Sequence, residues 1–167
     1  MRTKFQNVLL TSLCAIILFS CSSDDEVSNA SLVGTWKLTS LVIESAFDFN
    51  GDGTASRDLF LETDCYDGDF IENMEDGNVR IVSGLTFISV DDNFQPTHRC
   101  LNGFDRTTTW TQTGNTVTIE NGSADIVGTI SGNTVTATIV KGFEMEKYNG
   151  TSVVDDKESM TLTYEKQ

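Results

Sequence analysis

Thr116 Val117 Thr118 Ile119 Glu120 alternates polar and apolar side chains, Asn121 Gly122 follows as a turn, and Ile126 to Ile130 runs largely apolar. Gly132 Asn133 then turns again, and Val135, Ala137 and Ile139 alternate with threonines. A period of two marks a half-buried β-strand, and Asn-Gly or Gly-Asn supplies the positive φ angles that tight hairpin turns require. The hexapeptide from Thr113 to Thr118 recurs, with Ser for its first Thr, from Ser131 to Thr136. That spacing is two strands plus two turns, which predicts both Gly-Asn turns at one end of an up-and-down sheet. Two short copies make a meander, not a solenoid.

Working outward, the same pattern predicts further strands at Asp69 to Met74, Val79 to Ser83, Leu85 to Val90, Asp105 to Thr111 and Met160 to Glu165. Asp76 Gly77 and Ser83 Gly84 are expected to punctuate them. The first strand lies within Leu32 to Ile43, with Trp36, Leu38, Ser40 and Val42 predicted on one face and Thr35, Lys37, Thr39 and Leu41 on the other. Pro96, the single proline, falls in a stretch from Asp91 to Gly103 that reads as irregular. No segment keeps a helical period over about ten residues. The expected fold is all-β, an antiparallel up-and-down barrel of about eight strands over residues 31–167. Closure removes the edges that an open meander exposes.

The N-terminus has a different character. Arg2 and Lys4 precede an apolar run from Val8 to Phe19, twelve residues that fall short of the about 20 needed to span a bilayer. The order of charged and apolar regions reads as a secretory signal over residues 1–20. Its end, Leu18 Phe19 Ser20 Cys21, resembles the bacterial lipobox, in which the Cys is acylated and becomes the mature N-terminus. An ordinary signal peptide or an uncleaved anchor is the alternative. Acyl chains, at about 0.8 kcal/mol per buried methylene, anchor a protein without a transmembrane helix. Residues 21–30, with Ser22 Ser23 Asp24 Asp25 Glu26 at their head, read as an acidic flexible tether. The acidic cluster after Cys21 also resembles the signal that sends lipoproteins of one large group of Gram-negative bacteria to the outer face of the outer membrane.

Loss of residues 1–20 removes Arg2 and Lys4 and no acid, so the net charge moves from −14 to −16. A chain this acidic has no basic face for nucleic acid or for an anionic membrane surface. The 147 residues from Cys21 to Gln167 suffice for one domain with a core, expected to be monomeric. Cys14 leaves with the signal and Cys21 is the acylation site, which leaves Cys65 and Cys100. In an exported chain this pair is expected to form a disulfide; two reduced, buried thiols are the alternative.

One stretch carries candidate ion chemistry. In Asp48 Phe49 Asn50 Gly51 Asp52 Gly53 Thr54, oxygen ligands stand at positions 1, 3 and 5 with Gly at 6 and a carbonyl at 7, the front half of a calcium loop. Hard oxygens select calcium over zinc or copper. Position 12 is Leu59, so the loop departs from an EF-hand; Asp58 is the nearest carboxylate to close the sphere, with Glu62 or Asp64 as alternatives. From Glu44 to Asp76 eleven acids face one base, Arg57, a crowding that a cation or ample water must relieve. The set Asp48, Asn50, Asp52, Thr54 and Asp58 is therefore a candidate structural calcium site, with affinity expected at about 10⁻⁴ to 10⁻³ M. An ion-free Asp/Asn/Gly turn has the same letters. His98, the only histidine, assembles with no nucleophile and orienting acid by spacing. Pairs such as Glu144 with Glu146, or Asp155 with Asp156, are expected by chance in so acidic a chain. No phosphate loop, zinc spacing or dinucleotide fingerprint is present, and no enzyme is expected.

Gly34 Thr35 Trp36 on the first strand of an eight-strand meander resembles the Gly-x-Trp motif of the lipocalins. With Cys21, Leu32 to Leu38, Asp48 to Gly53, Asp58 Leu59, Cys65, Cys100, Trp110, Gly128 Thr129 Ile130 and Leu162 Thr163 Tyr164, nearly the whole mature chain resembles the small lipocalin-like domain proteins among bacterial surface lipoproteins. The resemblance implies a lipid-anchored, outer-membrane protein whose barrel takes a small apolar or amphipathic ligand. A surface interaction module for a protein or glycan, with a filled barrel, is the second expectation. Trp36 and Trp110 are expected in the core, with Trp36 closing one end; lipocalins place an Arg near the last strand over that Trp, whereas this chain offers Lys166 and no Arg there, so Trp36 is expected to be capped differently or simply buried. Ser40, Gly128 and Ala137 would leave room inside, and Trp36, Phe87 and Trp110 would fill it.

Overall fold

The computed structural model describes residues 31–122 and 124–167; the signal, Cys21 and the whole of the tether expected over residues 21–30 lie outside these described residues. The strands are β1 (Gly34–Phe47), β2 (Ser56–Asp58), β3 (Phe70–Asn73), β4 (Asn78–Val90), β5 (Pro96–Thr113), β6 (Thr116–Ile119), β7 (Ile126–Ser131), β8 (Thr134–Tyr148) and β9 (Val153–Lys166), with one short helix, α1 (Leu59–Glu62). Strands β3 to β9 follow β1 in sequence order, each antiparallel to the last, and β9 returns to pair with β1. The result is a closed eight-strand antiparallel barrel, with β2 added outside β1. Gly114 and Gly132 both adopt φ of 58°, as the Gly-Asn turns require. The Ile130 amide, at the end of β7, donates to the Asn115 carbonyl at 2.7 Å, which puts the two turns side by side.

The strands are longer than the sequence pattern suggests, because bulges interrupt the period without ending the strand. In β1, Trp36 and Leu38 are buried, but the register slips against β9 between Leu38 and Ser40. Beyond the slip Leu41, Ile43 and Phe47 turn inward, so Ser40 and Val42 do not share the face of Trp36 as expected. Ser83 Gly84 is likewise no break: β4 runs through it with a register shift against β5. A Cβ on Gly84 would lie 2.0 Å from the Cys65 carbonyl oxygen, and one on Gly103 1.8 Å from that of Ser83. These glycines permit close backbone crossing, which a turn reading of the sequence misses. The stretch expected to be irregular is mostly β5, which begins at Pro96 opposite Val90. A first-position proline costs the ladder little.

The two ends of the barrel differ. At the Gly-Asn end Trp36 is fully buried, donating from Nε1 to the Leu32 carbonyl at 2.7 Å. Lys166 takes the cap: its Nζ lies 5.3 Å from the Trp36 ring centroid and donates to the Ser31 carbonyl at 2.7 Å. Trp110 is half-buried against the core and donates from Nε1 to the Met74 carbonyl at 3.3 Å. Away from that end the long β4–β5 and β8–β9 hairpins outrun their neighbours, and β4 crosses to meet β8 at Ile88 and Met145. Cys65 and Cys100 form the expected disulfide, tying the segment before β3 to β5. Among the described residues the buried apolar side chains run from Leu32 to Tyr164 and form one core inside the closed barrel. Among the described residues no helix is long and apolar enough to cross a membrane.

Candidate ligand-binding cavity

Strand lengths create an opening in the barrel wall. β6 pairs with β5 only from Trp110 to Thr113, and β7 pairs with β8 only from Thr134 to Ala137. Farther along, β5 at Phe104 to Arg106 and β8 at Ile139 to Phe143 therefore have no strand between them. The register of β8 against β9 slips across this same interval, where Lys141 adopts φ of 52°. The contact of β4 with β8 closes the wall again beyond it. A lateral window remains, with Ile126 at the start of β7 forming its sill.

Behind this window lies a cavity of about 360 Å³, lined by Leu41, Ile81, Phe87, Ile139, Met160 and Leu162 among others, with Tyr66 and Tyr164 presenting their rings. That volume lies at the lower end of the range of about 300–1,000 Å³ typical of small-molecule sites. A second space of about 50 Å³ reaches toward the Trp36 end and shares Ile81, Ile126, Leu162 and Tyr164 with the first. Gly128 and Ala137 border only this smaller space, and Ser40 borders neither. The room comes instead from the missing strand neighbours and the bulges. Trp36 and Trp110 fill the closed end without lining the cavity, while Phe87 does line it.

Polar groups at the cavity are few. Burial pushes the Tyr66 phenol up to about 12, against the opposing effect of the Thr86 hydroxyl, and raises that of Tyr164 further. Both phenols are neutral at physiological pH. Asp69, 3% exposed, accepts from the Gly84 amide at 2.7 Å and the Ser83 hydroxyl at 3.0 Å; burial still raises its carboxyl above the ordinary value. Arg106 is the one cation on the lining and Glu144 the one anion, among the described residues. Glu144 is 70% exposed at the rim and paired with Lys157. Arg106 shares an inward face with Ile81, its partner across β4 and β5.

The predicted ion loop forms a separate feature between β1 and β2. Asp48 Oδ2 accepts from the Gly53 amide at 3.0 Å, Asn50 Oδ1 from the Asp52 amide at 2.9 Å, and Asp52 Oδ1 from the Thr54 amide at 2.7 Å. These turns hold the first three candidate ligands in one loop, with Thr54 at its end. Asp58 serves elsewhere: its Oδ1 caps α1 at the Phe60 amide and accepts from Leu41 of β1 at 2.9 Å. The carboxylate that closes on the loop is Glu62, 3% exposed, whose Oε2 accepts from the Phe49 amide at 2.9 Å. Asp48, Asp52 and Asp58 do not bring their carboxylates together within 4.8 Å; among the described residues only Asp64, Cys65 and Cys100 form such a group, and those sulfurs are bonded to each other. His98 lies against Phe49, ring centroids 4.5 Å apart.

Two residues escaped the sequence reading. Arg106 lies four positions before the inward Trp110 on one strand, so the period of two places it inside. Glu158 shares a face with Met160, Leu162 and Tyr164 and is 3% exposed. It accepts from the Glu44 and Ser45 amides at 2.9 and 2.8 Å, from the Ser45 hydroxyl at 2.6 Å, and from Lys147. Comparison with protein-family models, curated proteins and solved structures returns no significant match to this chain.

Proposed function

We propose that this chain is a lipid-anchored, extracytoplasmic binding protein whose barrel holds a small apolar or amphipathic ligand. The observation that carries this reading is the cavity of about 360 Å³, apolar along most of its wall and reached through the window between β5 and β8. Anchoring falls to Cys21, behind a tether that leaves the barrel free of the membrane surface, on an outer-membrane face. The strong negative charge keeps the barrel soluble and disfavours adsorption to anionic headgroups. The protein acts by binding: the cavity wall is mostly apolar, with Arg106 and Glu144 its charged groups among the described residues. An interaction module with a filled barrel is less favoured, since the interior retains space.

A structural calcium ion in the Asp48 to Thr54 loop belongs to the same proposal. Asp48, Asn50 and Asp52 are held in the order a calcium loop uses, and Glu62 replaces Asp58 as the closing carboxylate. Its role is to fix the β1–β2 connection.

The ligand reading is tested with N-phenylnaphthylamine, an uncharged apolar fluorophore, titrated into residues 22–167. Saturable enhancement is expected, and Leu162→Trp or Ile126→Trp, each narrowing the cavity, should remove most of it. A folded protein that gives no saturable enhancement overturns the reading.

A further inference from the structure

Arg106 is an unusual lining for an apolar cavity, since it is half-buried there and a cation drawn from water is costly unless paired. Its guanidinium carbon lies 5.3 Å from the Phe104 ring centroid, and Nη2 donates to the Asn121 side-chain oxygen. Nε is buried with no hydrogen-bond partner. Among the described residues no carboxylate lies within 4.0 Å of the guanidinium; the four ion pairs found all involve other cations. The strand pairing fixes its direction, because Ile81 across the ladder is 6% exposed and faces the interior.

From this geometry we infer that the ligand is an amphipathic monocarboxylate, its carboxylate received by Arg106 at the window and its apolar chain laid inward along Ile81, Met160 and Leu162. The inference rests on the cavity-binding reading and adds the headgroup to it. A planar guanidinium offers paired N–H donors that match a carboxylate, and here one donor is already stripped of water and unpaired. Asn121 and Phe104 hold the guanidinium in place, so little side-chain freedom is lost on binding. The negative charge of the whole chain does not cancel this attraction, since at about 0.1 M salt surface charges are screened beyond about 10 Å. Glu144, the one acid on the lining among the described residues, is engaged by Lys157.

The test compares decanoate with decanol, which share a chain and differ in the headgroup, by calorimetric titration of residues 22–167. The expected result is decanoate preferred on the order of tenfold to a hundredfold, the worth of one charge-assisted bond. Arg106→Gln should weaken decanoate to the level of decanol and leave decanol unchanged. Equal binding of both ligands, unaltered by Arg106→Gln, overturns the headgroup assignment while the apolar carrier stands. Binding of neither ligand to the folded protein overturns the carrier reading itself. Should Arg106→Gln fail to fold, the wild-type protein still decides: decanoate must shift the Arg106 Nε–H resonance more than decanol does, and an unmoved resonance at saturating decanoate refutes the assignment.

Discussion

Replacing Glu158 with Gln keeps the shape of the side chain and removes its charge. In the folded protein this carboxylate joins three strands: β9 through its own backbone, β1 through the Glu44 and Ser45 amides and the Ser45 hydroxyl, and β8 through Lys147. Burial by itself would raise its pKa, but the bonds from Lys147 and Ser45 outweigh it and hold the group below its ordinary 4.5. A glutamine retains one oxygen for the two amides and turns an NH₂ group toward Lys147. Losing charge-assisted bonds of this kind costs about 1.5–3 kcal/mol. The Lys147 contribution is discounted because that side chain is 36% exposed. For a domain of this size the loss lowers Tm by roughly 5–12 °C. The pH dependence has a definite sign. A depressed folded-state pKa gives stability that is complete above 4.5 and is lost as pH falls through the lowered value. Thermal unfolding followed by circular dichroism at about pH 7 and about pH 3 should therefore show a wide gap between the wild type and Glu158→Gln that narrows in acid. Equal Tm values at neutral pH, or a gap that does not change with pH, would refute the assignment of Glu158 as a charged cross-link.

Three further expectations concern other parts of the chain. Cys65→Ala with Cys100→Ala removes a cross-link between residues 35 apart and should cost about 3–4 kcal/mol in chemical denaturation; alkylation of either Cys without reductant would contradict the bridge. Calcium at about 5 mM should raise stability by about 1–2 kcal/mol if affinity lies at about 10⁻⁴ to 10⁻³ M, and Asp48→Ala or Asp52→Ala should abolish the rise; an intact protein indifferent to calcium has no such site. Cys21→Ser should release the protein from the membrane fraction, and retention there would argue against acylation.

The hairpin alternation and the two Gly-Asn turns made the meander readable, because turns of that type demand residues that tolerate positive φ. Trp36 as a plug was expected from the Gly34 Thr35 Trp36 strand, and the Cys65–Cys100 bridge from the two cysteines left in an exported chain. Bulges were not. Gly84 reads as a turn residue and Gly103 as the end of an irregular stretch, yet each is glycine because a backbone carbonyl, of Cys65 before β3 and of Ser83 in β4, occupies the place of a Cβ. The slip after Leu38 moves Leu41 and Ile43 into the core, a shift that no single-strand pattern encodes. The cavity was equally hidden, since it arises from β6 and β7 being shorter than β5 and β8. Only the register between strands shows where that shortfall leaves a window. Arg106 lies within the expected strand Asp105 to Thr111, on the face of Trp110, but was not singled out; Glu158 precedes the expected strand Met160 to Glu165 and joins its inward face only because β9 begins at Val153.

The central claim, that the barrel carries a ligand in the space behind this window, is tested most directly by native mass spectrometry of the protein purified from its own host without detergent. The expected spectrum shows a bound species of small-molecule mass that leaves on denaturation and is lost from a Leu162→Trp variant. A folded protein that shows only its bare polypeptide mass, and that takes up neither decanoate nor decanol when they are supplied, would contradict the account.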